Sequence, residues 1–186
     1  MSEKLFKTLV VISTVLQRLF AKVRRSIIMK RIFSPSDPGS AGSLGLLVLR
    51  LVLGLALAMH GYQKLDHAFS WMGPDAWAPG FLQALSVLAE FGGGIALLLG
   101  FLTPLAALLV VANMLVALFA VHIPHGDMLV AVRGSGHGSF DLAALYAAGA
   151  FCLMLVGPGL YSLDAIIFKR KFVRTSAEVR PRAVAR

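Results

Sequence analysis

Residues 81–122 read FLQALSVLAEFGGGIALLLGFLTPLAALLVVANMLVALFAVH. Two apolar runs, Phe81–Gly100 and Pro104–His122, are separated only by Phe101-Leu102-Thr103. Each run is about 20 residues long, which at about 1.5 Å per residue matches a hydrocarbon layer roughly 30 Å thick. Inside lipid every backbone polar group must be paired within its own segment, so each run predicts a helix. So short a link makes the two helices antiparallel neighbours. Pro104 falls in the first turn of the second helix, where its missing N–H costs nothing. Working outward, Leu44–Tyr62 supplies a span before this pair and Phe140–Val156 one after it, closed by Gly157-Pro158-Gly159. The expected fold is an all-α membrane protein, a bundle of four transmembrane helices.

Composition agrees. The 186 residues are 58% hydrophobic and 15% charged, where soluble domains run nearer 45–50% and about 25%. That length allows one domain. The formal net charge of +9 is uneven: eight of the 18 Lys and Arg precede residue 44, seven follow residue 168, and only Arg50, Lys64 and Arg133 lie between. A nucleic-acid binder needs a continuous basic surface; basic ends around an apolar middle instead follow the positive-inside rule. This bias predicts both termini in the cytoplasm and the two long loops outside. The single cysteine, Cys152, excludes dithiol chemistry and reads as a small apolar packing residue.

Outside the spans, residues 1–33 carry no small-residue cleavage site after Leu9–Leu16. Plotted at about 100° per residue, Leu5, Leu9, Ile12, Leu16, Leu19, Phe20, Val23 and Ile27 share one face, with Lys4, Lys7, Arg18, Lys22 and Arg25 opposite. This predicts a basic amphipathic helix on the membrane surface. Residues 34–43, rich in Ser, Pro and Gly, read as a linker. The bundle domain is 44–168, and 169–186 a basic cytoplasmic tail. Ser162–Lys171 reads as a short interfacial helix with Ser162 as its N-cap and Asp164 in its first turn.

Ionisable groups within a span are costly and each needs a reason. Counted from the inner end of each run, Arg50 lies about 9 Å up the first span, Glu90 about 15 Å up the second and Asn113 about 14 Å up the third. These depths predict one buried polar cluster of Arg50, Glu90 and Asn113, which could handle protons or ligand or could simply fix helix pairing. A second layer is expected near the outer surface, where His60, Lys64, His122 and Asp141 share a level. Such groups can shuttle protons, hold a quinone headgroup or serve as hydrogen-bonded helix ends. His122 and His125 are spaced for a metal, but Pro124 breaks the helix that would align them, and no metal site is expected. Gly92-Gly93-Gly94 lacks the strand, Lys and Ser/Thr of a phosphate loop; it reads as a close helix contact, which Gly54 on the first span fits, or as room for a flat ligand beside Glu90.

In these residues the chain resembles the DoxX family of small four-helix bacterial membrane proteins. The resemblance rests on ordered motifs: Arg50, His60-Gly61-Tyr62-Gln63-Lys64, Leu88-Ala89-Glu90-Phe91-Gly92-Gly93, Gly100-Phe101-Leu102-Thr103-Pro104, Val121-His122 with Gly126, and Gly157 through Asp164. Asp141 departs from the Glu expected there, and Pro104 from a basic residue. The resemblance implies a membrane partner of quinone-linked oxidoreductases, some of which answer thiol and oxidative stress. The expected function is therefore a membrane component of a redox system that meets a quinone or another small apolar substrate, with oxidoreductase subunits and lipid as partners. Without a thiol pair or a flavin or iron–sulfur motif, the chain would supply binding and proton transfer rather than electrons. A non-enzymatic scaffold and a small transporter are the competing classes; the transporter lacks the internal repeat and matched broken helices.

Overall fold

The computed structural model describes residues 39–168 except 133 and 135. The surface helix expected over 1–33 and the tail 169–186 lie outside the described residues. The described elements are helical, with no strand among them beyond an isolated bridge between Met128 and Ser139.

Helix α1 spans Gly39–Tyr62. It begins inside the segment read as a linker: the last proline is Pro38, and the Ser and Ala residues that follow tolerate a helix. Helix α2 runs Gly80–Leu99, with a π turn at Leu88–Gly92. Its end is a Schellman motif: Gly100 takes φ 65°, its N–H bonds to Leu97, and Phe101 N–H reaches Ala96 at 2.8 Å. Helix α3 spans Thr103–His122 and is π-helical from Ala117 onward. Helix α4 is Asp141–Val156, and the short α5 is Leu163–Ile167, where Ser162 Oγ accepts the Ala165 N–H.

Three of these helices, α1, α2 and α3, are long and apolar enough to cross a membrane; α4 is apolar but has 16 residues. Leu53, Leu57, Leu97, Val110 and Leu153 form a buried core between them. The outward faces are equally apolar, with Val52, Phe81, Leu145 and Leu155 about two-thirds exposed. A helix apolar on all sides belongs in lipid, and the molecule is a multi-pass membrane protein.

The α1–α2 contact sets the levels of everything else. A Cβ on Gly54 would lie 2.7 Å from the Gly94 carbonyl oxygen, and one on Gly94 would lie 2.5 Å from Ala58 N. A Cβ on Gly61 would strike the Phe91 backbone, and one on Gly100 the Arg50 guanidinium. Position 50 is therefore level with 100, and position 61 with 91. Helix α1 stops beside the middle of α2, roughly 12 Å short of Gly80 by helical rise. The segment between Tyr62 and Gly80 fills part of the space above it.

Candidate functional site

That register separates two polar groups that counting along each apolar run had joined. Arg50 does not reach Glu90. It is fully buried at the short-turn end of the bundle, where it donates to the Tyr161 carbonyl. Asp164, also fully buried, accepts the N–H of Leu102 at 2.7 Å and of Thr103 at 2.8 Å, so that α5 is fastened under the α2–α3 turn. Burial pushes the Asp164 carboxyl above its ordinary pKa, against the pull of those N–H groups and of Arg50. Arg50 rather than Leu44 is level with Gly100, and the six residues of helix between them are about 9 Å.

The same offset brings His60 and Lys64 down from the outer layer to the level of Glu90. Lys64 Nζ donates to both Glu90 carboxylate oxygens, at 2.9 and 2.7 Å. Asn113 Nδ2 donates to Oε1 at 3.1 Å. Thus Glu90 and Asn113 meet as expected from their depths, with Lys64 in the place assigned to Arg50. The Lys64 ammonium also sits 4.2 Å from the centre of the Trp71 ring, a cation–π contact. His60 meets Tyr146 of α4 edge to face, with ring centres 5.8 Å apart.

These groups border one cavity of about 510 Å³, within the range of small-molecule sites. Leu57, Leu82, Leu109 and Val116 give it apolar walls, and His60, Lys64, Glu90, Asn113, Tyr146 and His122 supply polar groups. The π turns of α2 and α3 carry Glu90 and His122 respectively, and such single-turn insertions recur at functional sites. His122 Nδ1 lies 2.7 Å from Asp127 Oδ2, and that hydrogen bond holds the partly buried Asp127 carboxyl below its ordinary pKa. Asp141 does not line the cavity. Its Oδ1 accepts from Ser139 Oγ at 2.9 Å and Leu142 N–H at 2.8 Å, the ordinary use of a carboxylate at a helix start. Among the described residues, no group of three or more His, Cys, Asp or Glu could hold a metal. Cys152 is exposed on α4 and packs no core.

Two contributors had no role in the sequence reading. Gln83, buried in the first turns of α2, accepts the Met72 N–H at 3.0 Å and donates to Ala78 O at 2.9 Å, while Trp71 Nε1 donates to Gln83 O at 3.2 Å. This buckles the aromatic loop across the cavity. The other is Tyr146, whose polar tip in the middle of an apolar run was the available signal.

The DoxX family model matches residues 45–123. The chain is also 31% identical over 129 residues to inner membrane protein YqjF of Escherichia coli (strain K12), an alignment that covers 68% of this chain and 95% of that protein. The chain belongs to the DoxX family. In this DoxX protein the matched segment takes in α1, α2 and α3, and with them Arg50, His60, Lys64, Glu90, Asn113 and His122. Tyr146 and Asp164 lie beyond it. No solved structure matches.

Proposed function

We propose that this DoxX protein is a bacterial inner-membrane component of a redox system that holds a quinone, or another small apolar molecule with a polar head, beside Glu90. The observation that carries this reading is the combination of an apolar cavity of about 510 Å³ with Lys64, Glu90 and Asn113 hydrogen-bonded at its edge. A quinone headgroup fits such a set: it needs apolar walls, hydrogen-bond donors for its oxygens and a group that can exchange protons. Lys64 and Asn113 can donate, and Glu90, His60 and Tyr146 can accept or pass on a proton. The sequence carries a single cysteine and no flavin or iron–sulfur motif, and in this reading an oxidoreductase partner supplies the electrons.

The membrane arrangement in this reading has four crossings. Helix α4 is about 24 Å long by its rise and packs along α3 and α1. The basic ends favour both termini in the cytoplasm, and the name of the E. coli relative favours the inner membrane.

The test is a titration of the full-length protein in lipid nanodiscs with a benzoquinone, followed by tryptophan fluorescence. Both tryptophans of the chain, Trp71 and Trp77, line the cavity. Saturable quenching that Glu90→Gln removes, with the fold intact, is the expected result. Quenching that does not saturate, or that is identical in Glu90→Gln, contradicts the reading.

A further inference from the structure

The walls of the cavity carry information about where its ligand comes from. On α2, Leu82 and Leu85 line the cavity yet are 40% and 47% exposed; on α3, Ala112 and Val116 line it and are likewise exposed. A side chain that is both lining and exposed stands at a mouth. These four residues sit on two helices that are held together at Gly100–Thr103 but diverge, since the half of α2 before Val87 scarcely packs on α3. The mouth is therefore a cleft between α2 and α3.

Its depth decides what it faces. Counted from the α2–α3 turn, Leu85 and Val116 are both about 20 Å up their helices. Within a hydrocarbon layer of about 30 Å, that is the half of the bilayer nearer the long loops. All four residues of the mouth are apolar. Of the other exposed lining residues, Trp77 and Leu142 toward the long loops are apolar and His60 is polar. The charged pair of Lys64 and Glu90 lies deeper than the mouth, close to the middle of α2.

We propose that the ligand is a chain-bearing amphiphile dissolved in the membrane, which enters sideways between α2 and α3, places its polar head at Lys64, Glu90 and Asn113, and leaves its chain through the cleft in the adjoining leaflet. This rests on the reading of the cavity as a ligand site and adds the ligand's route and its class. A chain lying against Leu82, Leu85, Ala112 and Val116 buries apolar surface that a headgroup alone does not, so it strengthens binding.

The experiment compares two probes with one benzoquinone headgroup, one carrying a decyl chain and one a methyl group. Each is titrated into the full-length protein in nanodiscs, with Trp71 and Trp77 as reporters. Binding is taken as the quenching lost in Glu90→Gln, which removes the contribution of probe merely dissolved in lipid. The decyl probe should bind the parent at least about tenfold more tightly than the methyl probe. Ala112→Phe, which fills the mouth, should abolish that preference. Leu108→Phe, on the exposed face of α3 away from the cavity, should keep it. Val116→Phe repeats the test should Ala112→Phe fail to fold. Equal affinity of the parent for both probes, or a preference that survives both mouth variants, overturns the side entrance while the cavity still binds headgroups. Failure of both probes to bind the parent removes the cavity reading itself, and this inference with it.

Discussion

Among the described residues, the charged groups around Arg50 and around Glu90 meet the cost of burial in opposite ways. Around Arg50 and Asp164 the chain closes on itself: the carboxylate takes two backbone N–H groups, the guanidinium donates to a backbone carbonyl, and both side chains are fully buried. Around Glu90 the partners are side chains, Lys64 and Asn113, and the group borders a cavity. Backbone partners cannot leave without unfolding a turn, whereas an ammonium and an amide can exchange one partner for another. The first cluster is therefore a fastening of α5 to the α2–α3 turn, and the second is suited to a ligand.

The largest expected effect falls on the fastening. Asp164→Ala leaves the N–H groups of Leu102 and Thr103 without an acceptor and the Arg50 charge without its neighbour, and should destabilise the bundle by about 3–5 kcal/mol. Arg50→Ala should cost a similar amount. Denaturation in mild detergent, followed by helical circular dichroism, checks both, and neither variant should regain stability from any change at Glu90. Wild-type stability in either would mean that the short-turn cluster is not a structural fastening.

Next comes the helix contact that sets the register. Gly94→Ala places a methyl group 2.5 Å from Ala58 N, and forcing the helices apart should cost about 1–3 kcal/mol. The same change moves Lys64 away from Glu90, so it should also weaken the ligand site. Gly45→Ala, where no atom lies within 4 Å of the added carbon, is the matched control and should be close to neutral in the same denaturation assay.

A double-mutant cycle sharpens the contrast between the clusters. Lys64→Ala and Glu90→Ala should couple by about 0.5–3 kcal/mol, while Arg50→Ala and Glu90→Ala should add within roughly 0.5 kcal/mol. Additivity of Lys64 with Glu90, or strong coupling of Arg50 with Glu90, would restore the pairing expected from depth along the apolar runs.

That expectation shows what the sequence could and could not convey. The apolar runs were legible because lipid imposes length and composition on every span, and the link at Phe101-Leu102-Thr103 leaves the chain little freedom. Glu90 and Asn113 could be paired because their depths were counted from the two ends of one tight turn. Arg50 could not, because its depth needed the offset of α1 against α2, and that offset is set by Gly54, Gly61 and Gly94 meeting backbone on the neighbouring helix. His60 and Lys64 were misplaced by the same distance. The buckle at Gln83 depends on the path of the Tyr62–Gly80 segment, which no periodicity encodes.

The smallest effect is at the loop. Asp127 is held below its ordinary pKa by His122, so its contribution is present above the ordinary aspartate range and lost as pH falls through the lower folded value. Hydrogen exchange at Gly138, whose N–H donates to Asp127 at 3.0 Å, should accelerate in Asp127→Ala. Helices α1 and α2 should be unaffected.

Whether the cavity beside Glu90 holds a small apolar molecule with a polar head is tested by mass spectrometry of the small molecules that co-purify with the full-length protein in mild detergent. A quinone or a similar chain-bearing amphiphile should accompany the parent, be retained in Leu108→Phe and be lost in Glu90→Gln of unchanged stability. Phospholipid alone in the parent, or the same quinone content in Glu90→Gln as in the parent, would contradict it.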